Sequence, residues 1–360
     1  MKLLVSFLAG SVIRALAVVS LLVCGRSGVC AAPSALLYMT ESPDSVHSFL
    51  AHADKIDLLV PTWYHVDENG LVTGAPNPLV METAKQHGVP VMPILALFHK
   101  KHFHDLSLNP SAQDRMNEAM IREAKLHGYT GFQFDFENVD WIDRDGLTAV
   151  VKRSAQALHQ AGFQLTIATV PNAPGYPTGD GFSKWIFTDW RGAYDLAELA
   201  KAVDLICLMT YDQQTRWTTP GPVAGWQWTI ENLEYALAVV PKEKLSLGIP
   251  LYGYHWFTGA PNVDKVTGVE SPNPSANYIS APDAQLLATT YKAPVQWDAT
   301  DRTAWFFFYR DQMREWIFFT DLRTFRERYQ LTQDRGLQGF CSWVLGNEDP
   351  AIWDFLPKKH

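Results

Sequence analysis

The stretch that most constrains the fold of this chain runs from residue 128 to residue 138 and reads Gly-Tyr-Thr-Gly-Phe-Gln-Phe-Asp-Phe-Glu-Asn. In it, rings alternate with polar side chains: Phe132, Phe134 and Phe136 with Gln133, Asp135 and Glu137. This period of two predicts a β-strand with rings on one face and polar groups on the other. A strand of a closed barrel needs this pattern, because its outer face meets helices and its inner face meets a lumen. The alternative is an edge strand with a solvated acidic face.

The two carboxylates of this stretch share one face of the predicted strand. Asp135 and Glu137 are two residues apart, so their side chains lie roughly 6 to 7 Å from each other and their titrations can be coupled. Coupling raises one of the two pKa values. A carboxylic acid that stays protonated near neutral pH is the proton donor that a glycosidic oxygen requires.

Eight apolar runs follow one another along the chain, with helical patterns between them. The predicted strands cover residues 35–39, 55–64, 89–97, 128–138, 164–170, 204–212, 244–252 and 337–344. The predicted helices cover 45–52, 79–87, 111–125, 147–161, 193–203, 232–239 and 321–334, with Ser42 or Asp44 capping the first and Ser111 the third. Parallel strands need long crossovers, which helices supply. The sequence therefore predicts an α/β fold, a (β/α)8 TIM barrel over residues 32–360.

The interval between the seventh and eighth predicted strands is too long for a single crossover helix. It contains two strand-like runs, 304–309 and 315–319, after a segment with several prolines. We interpret residues 255–320, approximately, as a small α+β insertion that forms one wall of a cleft above the barrel.

The N-terminal residues differ in composition from the rest of the chain. Lys2 precedes an apolar run at 15–23, and small residues follow up to Ala32. This pattern predicts an export signal over residues 1–31, so we expect a secreted, periplasmic or cell-envelope protein. The apolar run is too short to cross a bilayer comfortably, and we predict no integral membrane span. A lipid anchor at Cys24 or Cys30 is the open alternative.

Charge and cysteine content narrow the function classes further. The net charge of -8 and the lack of a dense basic run argue against nucleic acid as a partner. No cluster of His or Cys has metal-ligand spacing, so we predict neither a metal nor a cofactor. Cys207 and Cys341 fall on the sixth and eighth predicted strands, and two inter-strand steps exceed the usual reach of a disulfide. We expect buried free thiols.

Functional groups of such barrels lie at the C-terminal ends of the strands. The residues found there are Trp63, Phe98, Glu137, Pro171, Asn172, Tyr211, Asp212, Tyr252, Tyr254 and Trp343. Rings beside acids indicate a sugar-binding cleft, because sugar rings present flat C–H faces to aromatic side chains.

Several of these residues have an equally simple structural interpretation. Trp63 and Trp343 could belong to the core, since tryptophan is often largely buried. A tryptophan group in the predicted loop after strand six must be either packed or used by a ligand: Trp217, Trp226 and Trp228. The histidines without paired spacing are expected at the surface or in packing: His99, His104, His127 and His255.

Three motifs in this order resemble those of glycoside hydrolase family 18, the chitinase-like barrels. Residues 131–137 resemble the Asp-Gly-x-Asp-x-Asp-x-Glu signature, residues 209–212 the strand-six motif, and Trp343 the strand-eight tryptophan. Residues 136–139, 248–253 and 345–353 are most similar to the branch of bacterial spore-germination and cortex-lytic glycosidases. The resemblance runs from about Ala35 to the C-terminus. Thr130 and Gln133 depart from it, since chitinases usually carry Asp at both positions.

The resemblance implies a retaining mechanism in which the substrate's own 2-acetamido carbonyl attacks the anomeric carbon. Glu137 would protonate the leaving oxygen, Asp135 would stabilise the positive oxazolinium, and Tyr211 would hold the carbonyl oxygen in line. The expected substrate-binding residues are Gln133, Asp212, Trp343, Trp63 and Tyr252. Gln133 would donate an amide hydrogen bond to Asp135. We therefore expect Asp135 to stay ionised over a wider pH range than in a site with three acids.

These observations lead to one functional expectation and two rivals. We expect a monomeric secreted glycosidase that cleaves β-1,4-linked N-acetylglucosamine polymers, with peptidoglycan or its fragments favoured over chitin. The first rival is a non-catalytic carbohydrate-binding protein on the same barrel, although the retention of Glu137 argues against it. The second is an enzyme for another N-acetylated glycan, such as an N-glycan core.

Overall fold

The computed structural model describes residues 33–258, 262–263, 268, 270–271 and 274–358. The predicted export signal, with Cys24 and Cys30, lies outside these residues. The strands are β1 (Ser34–Met39), β2 (Leu58–Pro61), β3 (Tyr64–Val66), β4 (Val72–Gly74), β5 (Ile94–Leu97), β6 (Gly131–Phe136), β7 (Gln164–Thr169), β8 (Leu205–Leu208), β9 (Leu245–Pro250), β10 (Tyr252–Thr258), β11 (Asn262–Val263), β12 (Glu270–Ser271), β13 (Pro274–Ser280), β14 (Gln296–Asp298), β15 (Thr303–Arg310), β16 (Met313–Phe319) and β17 (Gly339–Trp343). The helices are α1 (Pro43–His52), α2 (Pro78–Gln86), α3 (Lys100–Ser107), α4 (Pro110–His127), α5 (Arg144–Gln160), α6 (Gly181–Ile186), α7 (Leu196–Ala202), α8 (Trp226–Leu237), α9 (Ala281–Thr290), α10 (Leu322–Arg335) and α11 (Ala351–Phe355).

The main sheet confirms the predicted barrel. Its strands follow the order β2-β1-β17-β9-β8-β7-β6-β5-β3-β4, and all neighbours are parallel except β3 and β4. A parallel bridge between Leu59 and Val91 joins β2 to the segment before β5. The second strand position of the barrel is therefore divided between β2 and β3. The crossover helices cover the outer face of the barrel.

The helix α4 directly precedes β6 in the chain, and its sequence explains which face it buries and where it begins. Its buried side chains Met116, Met120 and Ala124 recur at helical spacing. The side chain of Asn109 caps the helix by accepting from the backbone N–H of Ala112 at 3.1 Å. Our assignment of Ser111 as the cap was wrong, because the helix begins at Pro110, two residues earlier than a cap at Ser111 would allow.

The insertion between β9 and β17 is an antiparallel sheet with one helix. The sheet has the strand order β13-β10-β16-β15-β14. One of its faces packs with α9 into a separate core built from Ile279, Ala281, Ala284, Ala288, Ala304, Phe306, Phe308, Ile317 and Phe319. Its strand β10 begins at Tyr252, separated by one residue from the end of the barrel strand β9 at Pro250. The insertion therefore starts at the C-terminal end of a barrel strand.

Several local predictions differ from the structure. The third barrel strand covers only β5, although we expected a continuous run from residue 89. Two helices, α3 and α6, occupy segments for which we predicted no structure. Trp226 and Trp228 lie in α8 and not in the preceding loop, because the helix begins six residues earlier than predicted.

Cys207 and Cys341 are free and completely buried, as predicted. Cys341 Sγ lies 3.8 Å from the backbone oxygen of Ser246, and Cys207 Sγ accepts from the side chain of Gln133 at 3.3 Å.

Within the described ranges, none of the helices combines the length and the apolar character that crossing a membrane would require.

Candidate active site

A cavity of about 380 Å³ opens at the C-terminal ends of the barrel strands. It is lined by Tyr38, Thr40, Thr62, His65, Ile94, Ala96, Phe98, Asp135, Glu137, Ala168, Val170, Pro171, Trp190, Met209, Tyr211, Asp212, Tyr252, Tyr278 and Trp343. The lining combines carboxyl groups with aromatic rings. A concave, mostly apolar site with a few convergent polar groups is typical of a small-ligand or substrate pocket.

The strand β6 carries two of the acids into this cavity. Its phenylalanine rings are completely buried on the outer face, where Phe136 stacks on Phe134 with centroids 4.4 Å apart. The backbone N–H of Glu137 donates to the carbonyl of Leu97 at 3.0 Å, so β5 holds the strand end in place. The alternation therefore aims Asp135 and Glu137 at the lumen, as the sequence predicted.

Asp135 is the deeper of the two acids and is only 7% exposed. Burial raises its pKa well above the ordinary value, and the charges of Glu137 and Cys207 add to the effect. Its Oδ1 atom has no hydrogen-bond partner in the described part of the chain. Burial in the barrel thus favours the neutral acid, and the expectation that Asp135 stays ionised over a wider pH range than in a site with three acids stays a prediction.

Glu137 lies nearer the cavity mouth and is half-buried. Burial raises its pKa to about 7, a hydrogen bond from the side chain of Trp190 opposes the rise, and the charge of Asp212 adds to it. The protonated and ionised forms are therefore both accessible near neutral pH. This is the property that a group needs to act first as a general acid and then as a general base.

Asp212 follows β8 and forms the third acidic part of the wall. Its backbone has a φ of 60°, a left-handed conformation that aspartate tolerates better than most residues. The hydroxyl of Tyr252 donates to its Oδ1 atom, and the hydroxyl of Tyr254 donates to the same atom at 3.2 Å. Burial raises the pKa of Asp212, and these two hydrogen bonds act in the opposite direction.

The aromatic part of the wall surrounds these acids. Tyr211 is 7% exposed and its ring meets that of Tyr252 edge-on at a centroid distance of 6.4 Å. Trp343 lies at the end of β17 and tilts against Tyr38 at 5.5 Å. Both rings face the cavity that contains Asp135 and Glu137. A ligand ring in the cavity would thus have aromatic surface beside the carboxyl groups.

Most of the predicted site residues meet in this cavity, but two do not. The residues brought together are Glu137, Asp135, Tyr211, Asp212, Trp343 and Tyr252. Trp63 lies outside the lining, 5% exposed, and its indole N–H donates to Glu41 at 2.5 Å. We correct its assignment to a packing residue, because the neighbouring Thr62 and His65 line the cavity in its place.

Gln133 also lies outside the cavity, one step below Asp135 in the barrel. Its amide nitrogen donates to Thr166 Oγ1 at 3.0 Å and to Cys207 Sγ at 3.3 Å. The predicted hydrogen bond to Asp135 is therefore wrong. The alternation of side chains along β6 puts Gln133 and Asp135 on the same face of the strand. The amide of Gln133 nevertheless bonds to side chains of the neighbouring strands, Thr166 of β7 and Cys207 of β8.

Sequence reasoning missed several lining residues, among them Trp190 and Tyr278. Trp190 lies in a π-helical turn (Phe187–Arg191) after α6, and Tyr278 lies on β13 of the insertion. Neither is at the end of a barrel strand, which was the criterion we applied. The only available signal was the density of tryptophans between residues 185 and 190. In the described ranges, no group of three His, Cys, Asp or Glu side chains is placed to hold a metal ion.

The sequence of this chain is similar to those of a known protein family. The family model described as Glycosyl hydrolases family 18 matches residues 37–348. The provisionally named sporulation-specific glycosylase YdhD of Bacillus subtilis (strain 168) is 28% identical over 320 residues, which cover 86% of this chain and 70% of YdhD. The cortical fragment-lytic enzyme of the same strain is 24% identical over 300 residues, which cover 81% of this chain and 65% of that enzyme.

Solved structures show the same fold. The chitinase from Chromobacterium violaceum ATCC 12472 superposes with a TM-score of 0.78 and 24% sequence identity. The superposition covers 90% of this chain and 98% of that chitinase.

Proposed function

The chain belongs to the glycosyl hydrolases of family 18 and is a glycosidase, and from this premise we propose the finer function. We propose a secreted, retaining and monomeric enzyme that cleaves β-1,4-linked N-acetylglucosamine polymers. The substrate's own 2-acetamido group acts as the nucleophile, and peptidoglycan or chitin fragments are the natural substrates.

One observation carries the proposal: a half-buried glutamic acid with a pKa of about 7 stands two residues from a buried aspartic acid on one strand. Such a pair can serve a reaction that develops positive charge near one acid and needs a proton from the other. Aromatic rings in the same cavity lining, Tyr211 and Trp343, suit the faces of a sugar.

The proposed first step breaks the bond between the anomeric carbon and the leaving oxygen. Glu137 gives its proton to that oxygen, while the acetamido carbonyl oxygen attacks the anomeric carbon and closes an oxazolinium ring. Asp135 accepts a hydrogen bond from the acetamido N–H, and the positive ring favours its ionised form. Tyr211 directs its hydroxyl to the acetamido carbonyl and keeps it in line.

The second step returns the enzyme to its starting state. Glu137, now ionised, removes a proton from a water molecule that attacks the anomeric carbon and opens the oxazolinium ring. Because each step inverts the anomeric carbon once, the product keeps the configuration of the substrate.

The proposed substrates and location follow from the names of similar proteins and from the N-terminal sequence. The name of the cortical fragment-lytic enzyme supports peptidoglycan fragments, and that of the superposed chitinase supports chitin. The export pattern at residues 1–31 supports secretion.

Mass spectrometry of digests of defined chito-oligosaccharides and muropeptides tests the proposal, with the Glu137→Gln variant as the inactive control. We expect cleavage beside N-acetylated sugars, no cleavage of the same oligosaccharides after de-N-acetylation, and a first product of retained configuration by NMR. An inverted product would refute the assisted mechanism. Binding without turnover by the unmodified chain would favour the carbohydrate-binding rival.

A further inference from the structure

The helix α10 carries an arginine that is buried inside the protein. Arg328 is only 1% exposed, and within the described residues its guanidinium hydrogen-bonds to backbone carbonyls and not to carboxylates. Burial lowers its pKa to about 10, so the group keeps its charge at neutral pH. Burying a charge is costly unless the surrounding groups compensate for it. The carbonyls that do so here belong to three separate parts of the chain.

The acceptors of Arg328 join the segment after β8 to the insertion. One terminal nitrogen, Nη2, donates to the carbonyl of Ala224 and, at 3.1 Å, to that of Asp301. The other, Nη1, donates to the carbonyl of Arg302 and, at 3.3 Å, to that of Thr324, one helical turn earlier on α10. Ala224 lies between β8 and α8, whereas Asp301 and Arg302 lie in the turn between β14 and β15. A single side chain therefore connects a loop of the barrel, the insertion and a barrel helix.

The loop 213–225 is closed at its base by two hydrogen bonds. The backbone N–H of Gln213 donates to the carbonyl of Val223 at 2.9 Å, and the side-chain oxygen of Gln213 accepts from the backbone N–H of Gly225 at 2.6 Å. A Cβ atom on Gly225 would lie 2.6 Å from that oxygen and 2.7 Å from Oδ1 of Asp301. The base of the loop thus lies against the same turn of the insertion to which the arginine bonds.

The ring of Trp226, the first residue of α8, adds to this connection. The guanidinium of Arg302 lies 3.8 Å from the ring centroid, and that of Arg328 lies 5.8 Å from it. Guanidinium groups at such distances are attracted to the face of an indole ring. The sequence left open whether this tryptophan is packed or contacts a ligand. In the structure it is partly buried and packs beside two arginines.

Asp212, at the start of the loop, is in contact with the insertion as well. It lines the cavity, and its carboxyl group accepts from the hydroxyls of Tyr252 and Tyr254 of β10. Its left-handed backbone, with a φ of 60°, persists only where the surrounding structure holds it. The loop and the insertion are therefore joined twice: at the start of the loop through Asp212 and at its end through Arg328.

We propose that Arg328 is a positioning residue for Asp212: by holding the end of the loop 213–225 against the insertion, it keeps the Asp212 carboxyl group beside its two tyrosine donors. The proposal rests on the assignment of Asp212 to the substrate-binding site in the proposed function. Arginine suits the role, because its planar group bonds to several carbonyls in fixed directions, whereas lysine has one ammonium on a flexible stem. A purely structural arginine would stabilise the fold without affecting substrate binding.

The Arg328→Lys variant keeps the charge and removes the planar group that bonds to four carbonyls. We expect KM for a chito-oligosaccharide to rise about fivefold, because the cavity wall at Asp212 is held less firmly. We expect kcat to change by less than about twofold, since Asp135 and Glu137 stay in place. The matched control is Arg326→Lys, at an exposed position of the same helix. A parental KM in folded Arg328→Lys would overturn the proposal.

A destabilised variant separates positioning from a general loss of stability. Phe325 of α10 is 1% exposed, its ring packs edge-on against Phe340 of β17 at a centroid distance of 5.6 Å, and it does not line the cavity. We expect Phe325→Leu to lower the melting temperature at least as much as Arg328→Lys, with KM unchanged. Equal rises of KM in the two variants would show that Arg328 acts only through overall stability, which would refute the proposal.

A second variant covers the case in which Arg328→Lys does not fold. Gly225→Ala leaves α10 intact and places a methyl group between the side chains of Gln213 and Asp301 at the base of the loop. We expect KM to rise in the same direction, with kcat nearly unchanged, because the loop and the insertion are pushed apart. A KM equal to that of the parent in Gly225→Ala would contradict the proposal.

A titration that does not depend on activity distinguishes failure of this proposal from failure of the proposed function. The carboxyl carbon of Asp212 can be followed by ¹³C NMR in the parent, in Arg328→Lys and in Arg326→Lys, with Asp212→Asn to assign the signal. The two tyrosine hydroxyls lower the pKa of Asp212, so weaker bonds from them should raise the midpoint in Arg328→Lys alone. All three proteins retain the positive charge and the neighbouring Glu137.

The titration has two informative outcomes. Equal midpoints in all three proteins would overturn the proposal, even if the enzyme cleaves the expected substrate. A midpoint raised only in Arg328→Lys would support it, even if the natural substrate is a different glycan.

Discussion

Replacing Glu137 by glutamine is expected to abolish turnover and to stabilise the folded protein at alkaline pH. The pKa of Glu137 is raised from its ordinary value of 4.5 to about 7, chiefly by burial. The folded state therefore binds this proton more tightly than the unfolded state. It follows that the carboxyl group costs no stability below about pH 4.5, and that the cost grows as the pH rises and is complete above about pH 7.

The size of the effect follows from the difference between these two pKa values. Each pKa unit corresponds to about 1.4 kcal/mol, so the ionised group lowers the free energy of unfolding by at most about 3 kcal/mol. The half-buried position reduces this value, since solvent at the cavity mouth screens the charge. Glutamine has no such penalty. The gain at pH 8 corresponds to a rise in melting temperature of at most about 4 °C, because the unfolding entropy of a chain of this length is about 0.7 kcal/mol per kelvin.

The assay is thermal and urea unfolding of the parent and Glu137→Gln between pH 4 and pH 9. The control is Glu118→Gln, which removes a charge from an exposed site on α4. We expect the difference in unfolding free energy between Glu137→Gln and the parent to grow with pH, and that for Glu118→Gln to stay nearly constant. A difference for Glu137→Gln that is the same at pH 4 and pH 8 would show that Glu137 is not desolvated, and the argument for its role as acid would fail.

Three further predictions concern the cavity wall. In the parent, kcat should fall about tenfold per pH unit above about pH 7, because only protonated Glu137 can donate; a flat profile to pH 9 in steady-state assays would contradict this. Tyr252→Phe removes one hydrogen bond to Asp212 and should raise KM about tenfold, with unchanged circular dichroism; an unchanged KM would assign the bond a purely structural role. Trp63→Phe should leave KM unchanged but lower the unfolding free energy by about 1 to 2 kcal/mol, since Glu41 loses its donor; a raised KM would return Trp63 to the substrate-binding residues.

Local sequence pattern was sufficient for the architecture. The alternation of Phe132, Phe134 and Phe136 with polar residues fixed which side of β6 faces the lumen, because side chains on a strand point alternately to opposite sides. The order of apolar runs and helical patterns predicted the barrel and the insertion, since parallel strands admit few connections. The placement of Asp135, Glu137 and Asp212 at one end followed from the same rule.

The tertiary structure decided which aromatic residues enter the site. Trp63 and Trp190 could not be ranked from the sequence, because both stand next to polar residues in aromatic segments. Trp63 is buried outside the cavity lining and donates to Glu41, whereas Trp190 lines the cavity from a π-helical turn whose Asp189 pairs with Lys100 of α3. Such contacts join residues 22 to 89 positions apart, and no local pattern encodes them.

The sequence determined the relative positions of the two acids on β6, and the folded structure determined their pKa values. The sequence by itself determined that Asp135 and Glu137 are neighbours on one face, because this depends only on strand geometry. It did not determine their proton affinities, because these depend on how completely the barrel and the insertion exclude water from each carboxyl group. The partners of Gln133 also came from the neighbouring strands β7 and β8. Burial is a property of the assembled chain, so only the folded structure sets the pKa of each acid.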